Sequence, residues 1–123
     1  MDHWSLRYPT CTEDIGRVLA EAAEKLLALS VDARKAVSGG TRILHFSAEE
    51  RMTKFEICET LAGILGLELG QMRANEQGND PAASVQRPYD CHLSTAELQE
   101  LGVDVRAQKF EPWFRRYLRA VRR

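Results

Sequence analysis

What this sequence lacks narrows it first. No Gly-x-Gly-x-x-Gly or close variant occurs among its 8 glycines, so no tight turn is set for a backbone to approach a dinucleotide pyrophosphate. A Gly-x-Ser-x-Gly elbow and a phosphate-cradling loop ending in Lys-Ser/Thr are absent too, which removes the common nucleophile and P-loop chemistries. Tyr8, Tyr89 and Tyr117 each lack a lysine four residues later. No phenol therefore shares a helical face with an ammonium that could lower its pKa for proton transfer. Catalysis by this chain alone is not expected.

Cysteine is scarce and odd in number: Cys11, Cys58 and Cys91 lie far apart with no Cys-x-x-Cys pair, which suits neither a disulfide framework nor a zinc site. His3, His45 and His92 are equally scattered, so no metal site is expected. The formal net charge is −1, with no basic footprint for nucleic acid or anionic lipid. No apolar run approaches the roughly 18–20 residues that cross a bilayer. Met1-Asp2-His3-Trp4 lacks the basic-then-apolar layout of a signal peptide, and a cytoplasmic location is expected.

The residues present fit one soluble-type domain: 123 residues, 44% hydrophobic and 28% charged, near the averages for globular chains. Thr10 with Glu13 reads as a capping box before Ile15, Val18, Leu19, Ala22, Leu26 and Leu27, which predicts a helix from Thr12 to Leu29 with one buried stripe. Arg17, Glu21, Glu24 and Lys25 mark its polar side. Ser38-Gly39-Gly40 punctuates the chain, and Arg42 to Phe46 reads as a strand.

Thr53 with Glu56 is a second box, opening a helix through Ile57, Leu61 and Leu65 that Gly66 closes. Leu69 to Asn75 reads as a weak strand, and Gln77 to Pro81 as a loop. Ser94 with Glu97 is a third box before Leu98 and Leu101, ended by Gly102. A last helix starts near Pro112 and runs through Trp113, Phe114, Tyr117, Leu118 and Val121. One or two strands cannot satisfy their own edges, so the design reads as incomplete, with an apolar face left exposed.

Several segments carry a resemblance. Met1-Asp2-His3-Trp4, Arg7-Tyr8-Pro9-Thr10 running to Asp14, Met52-Thr53-Lys54-Phe55-Glu56, and Gln86-Arg87-Pro88 before Leu93-Ser94 resemble, in order and spacing, the C-terminal portion of the regulatory (beta) subunits of methionine adenosyltransferase. That family is itself similar to the dTDP-4-dehydrorhamnose reductases, extended short-chain reductases. The resemblance covers the chain to about Val103. It implies an α/β fold: a helix-rich, substrate-binding C-terminal lobe of a Rossmann-like protein, in which Ile43, Leu44 and Phe46 join a sheet.

The resemblance further implies a regulatory module of S-adenosylmethionine synthesis whose partner is the methionine adenosyltransferase catalytic subunit. The alternative is the substrate lobe of a truncated NADP-dependent reductase. The family's NADP loop and Tyr-Lys pair would fall upstream of Met1, so no cofactor is expected on these residues. The family's C-terminal tail is longer than the segment after Trp113 here, so tail-mediated partner binding does not carry over.

Arg7 and Arg87 are the candidate ligand contacts, because a guanidinium presents a fixed fork of donors to phosphate, carboxylate or sugar oxygens. The alternative is local pairing, with Asp14 or Asp90. Thr10 is a third candidate, although its capping role needs no ligand. Arg115, Arg116, Arg119, Arg122 and Arg123, interleaved with Trp113, Phe114 and Tyr117, read as a solvated helix end that complements the macrodipole rather than as a nucleic-acid helix.

Overall fold

The computed structural model describes residues 1–37 and 43–121. The Ser38-Gly39-Gly40 turn, Arg42, Arg122 and Arg123 lie outside them, as do the side chains of residues 119–121. Among the described residues five helices occur in order: α1 (Thr12–Ala28), α2 (Val31–Val37), α3 (Lys54–Leu65), α4 (Ala96–Glu100) and α5 (Phe110–Val121). Strand character among them is limited to three isolated bridges. The chain divides into two compact units, one of Met1–Pro9, Glu49–His92 and Gln108–Arg123, the other of Thr10–Ala48 and Leu93–Ala107.

The first unit is built around the N-terminal segment. Asp2 bridges Asn75 and Leu6 bridges Asp90, both parallel, while Arg7 bridges Met52 in antiparallel fashion. These pairings satisfy the segment's backbone without a continuous sheet. Helix α3 has the predicted signals at both ends. Thr53 Oγ1 accepts from the Glu56 N–H at 3.2 Å, and a Glu56 carboxylate oxygen accepts from the Thr53 N–H at 2.6 Å. Gly66 takes φ 67°, a left-handed conformation that lets Leu67 N–H reach the Ala62 carbonyl at 2.9 Å. Helix α5 packs on α3 and begins at Phe110, two residues before the expected start, because the Glu50 carboxylate accepts from the Phe110 N–H at 2.6 Å. Pro112 then falls in the first turn, where its missing donor costs nothing.

The second unit gathers Val18 and Ala22 of α1, Leu98 of α4 and Val103 into one buried cluster, with Leu44, Phe46, Leu101 and Val105 packed against it. Gly102 at φ 79° ends α4 as expected, and Val103 N–H bonds the Leu98 carbonyl at 2.9 Å. Arg17 ties the same region together: its guanidinium donates to the Asp104 carbonyl at 2.6 Å and to the Arg106 carbonyl. Asp14, Glu21 and Asp104 carboxylates lie 3.8 to 3.9 Å from it.

Four expectations change. Cys11, not Thr10, is the N-cap of α1, and no side chain caps it. Thr10, one residue earlier, braces the segment that follows residue 42: its Oγ1 accepts from the Ala48 N–H at 3.0 Å. Thr95 is the N-cap of α4, while Ser94 Oγ accepts from the Ala96 N–H at 3.3 Å. The described residues 43–46 form no strand, since Leu44 and Phe46 turn into the second unit's cluster. In place of the second strand there is a turn at Gly70, φ 58°, and only Asn75 bridges. Helix α2 has a signal that went unread: Ser30 Oγ accepts from the Ala33 N–H at 3.1 Å.

Candidate functional site

The first unit collects polar side chains around the segment Arg7-Tyr8. Arg7 is fixed by its backbone, which exchanges two hydrogen bonds with Met52 at 2.8 and 2.9 Å. Its guanidinium donates to Cys91 Sγ at 2.7 Å. The partner of Arg7 is thus a thiol 84 residues away rather than a local carboxylate. Tyr8 meets His92 edge to face, ring centroids 4.8 Å apart. His92 Nε2 lies 2.8 Å from a Glu49 carboxylate oxygen, and Asp90 accepts from the His92 N–H at 2.8 Å.

Burial, then a hydrogen bond to Asp90 and the charges of Asp90 and Glu49, raise the Tyr8 phenol above its ordinary value, against a smaller opposing effect of Arg51. A phenol held protonated by its carboxylate neighbour is a poor base. The arrangement is suited to binding polar groups.

Arg87 stands on the loop that follows Gln77. Asn79 braces this loop, donating from Nδ2 to the Arg87 carbonyl at 2.6 Å and accepting the Arg87 N–H at 3.2 Å. Leu6 N–H bonds the Tyr89 carbonyl at 2.6 Å, and Trp4 packs against the Tyr89 ring, centroids 5.0 Å apart. A Cβ on Gly78 would come within 3.1 Å of the Trp4 ring, so the absence of a side chain there admits the indole. Arg87 is exposed, and no described side chain, Asp90 included, pairs with its guanidinium. It presents its donor fork at the loop surface.

Of the three residues singled out by sequence, Arg7 and Arg87 thus belong to the first unit and Thr10 to the second, where it serves the backbone. Tyr8, Glu49, Cys91 and His92 were missed. They are 40 or more residues from each other along the chain, apart from the neighbouring Cys91 and His92, and no local pattern announces such a meeting. Among the described residues, no group of three or more His, Cys, Asp or Glu side chains is arranged to hold a metal ion, and no helix is long and apolar enough to cross a membrane.

Comparison with known proteins adds a family. The model of the RmlD substrate binding domain matches residues 1–122. The protein named methionine adenosyltransferase 2 subunit beta from Bos taurus is 33% identical over 107 residues, covering 86% of this chain and 29% of that protein. Its namesake in Danio rerio is 32% identical over 112 residues, covering 90% of this chain and 32% of that protein. In Xenopus tropicalis the identity is 28% over 106 residues, covering 86% of this chain and 29% of that protein. The chain spans about three tenths of the length of these curated relatives.

Proposed function

The chain belongs to the RmlD substrate binding domain family, and from that premise we propose that it is a non-catalytic regulatory or binding module akin to the methionine adenosyltransferase beta subunit. In this reading residues 1–123 form a single substrate-binding-like domain of a Rossmann-type protein, acting in the cytoplasm in S-adenosylmethionine synthesis. Its partner is the catalytic subunit of methionine adenosyltransferase. The match to subunit beta over 86% of this chain carries the proposal.

The NADP implied for the full-length family finds no fit among the described residues. Positive-φ glycines among the described residues are Gly66, Gly70 and Gly102. Two of these close helices and none opens one, whereas a pyrophosphate needs a glycine turn running into a helix N-terminus. No step through a nicotinamide is assigned to this chain. The proposal is tested by surface plasmon resonance with immobilised methionine adenosyltransferase catalytic subunit. Saturable binding is expected, with no nicotinamide oxidation by the chain alone, and absence of binding would refute it.

A second reading has one observation in its favour. The Arg87 guanidinium is exposed on a braced loop and unclaimed by any described side chain, as the contact of a sugar-nucleotide reductase lobe would be. Titration with a dTDP-sugar separates the two: that reading expects weak binding lost in Arg87→Ala, and the leading one expects none.

A further inference from the structure

We draw no further inference here: the strongest candidate, the exposed loop in which Asn79 braces the backbone of Arg87, belongs to the site already described and to the reading already drawn from it.

Discussion

Replacing Arg17 by methionine removes a hub while keeping most of the side chain's apolar stem. The guanidinium holds two backbone carbonyls, of Asp104 and Arg106, and stands near three carboxylates. The carboxylates are 3.8 to 3.9 Å away and the arginine is 38% exposed, so each ion pair contributes at most about 0.5 kcal/mol. The carbonyl bonds dominate. Charge-assisted hydrogen bonds contribute about 1.5–3 kcal/mol each when buried, and solvent exposure reduces this by roughly half, leaving about 2 kcal/mol for the pair. Buried Asp14, 6% exposed, loses a neighbouring cation and brings the expected loss to about 2–3 kcal/mol. Urea unfolding followed at 222 nm, with an unchanged slope, measures it. Arg17→Lys should fall between, because a single ammonium cannot fork to two carbonyls. A loss below about 0.5 kcal/mol for Arg17→Met would show that the apolar cluster alone holds Val103 to Arg106 on α1, and would refute this ranking of effects.

Three further outcomes rest on the same structure. Thr53→Ala should cost about 1–2 kcal/mol by urea titration, because it uncaps α3 and takes the Thr53 hydroxyl from His3 Nδ1, 2.8 Å away. His3→Ala should remove part of that cost in a double-mutant cycle, and full additivity would argue against the His3 contact. Gly66→Ala should lower stability by about 1 kcal/mol, read from the same titration, because φ 67° strains any residue with a Cβ. The side-chain and backbone hydrogen bonds from Arg106 hold the Asp104 carboxyl well below the usual carboxylate range. Its contribution is therefore complete above the unfolded carboxylate pKa, near pH ~4, and lost as pH falls from there through the lower folded pKa. Asp104→Asn should flatten the acid limb of the stability profile and leave its slope above about pH 5 unchanged, as measured by thermal melts across pH.

Local devices were legible and distant ones were not. Helix α3 could be read from Thr53, Glu56 and Gly66 because capping and a left-handed terminus are decided within a few residues. The same pattern at Thr10 and Glu13 misled. An N-cap is defined by where helical dihedrals begin, and Thr10 lies one residue too early, while its Oγ1 accepts from the Ala48 N–H. Arg42 to Phe46 had strand composition, but a strand is made by its partner. Without one among the described residues, Leu44 and Phe46 joined a helical core. Arg7 was singled out for its donor fork, yet its partner Cys91 is 84 positions away, beyond any spacing argument.

Helix α1 shows the limit most clearly, because its composition is compatible with two answers. Ile15, Leu19, Ala23 and Leu27 form as good a helical stripe as Val18 and Ala22, and by hydrophobicity alone the first set should be the one inside. The buried set is instead chosen by Leu98 and Val103 and by the reach of Arg17 to the carbonyls beyond them. A guanidinium must stand beside its acceptors, so these polar bonds favour the same rotation as the cluster, in which the stripe of Ile15, Leu19, Ala23 and Leu27 turns outward. Arg17→Met relaxes that constraint. If the rotation is set this way, the variant's α1 should lose fluorescence contrast between a probe at position 19 and one at position 22, and an undiminished contrast would place the choice in the apolar cluster instead.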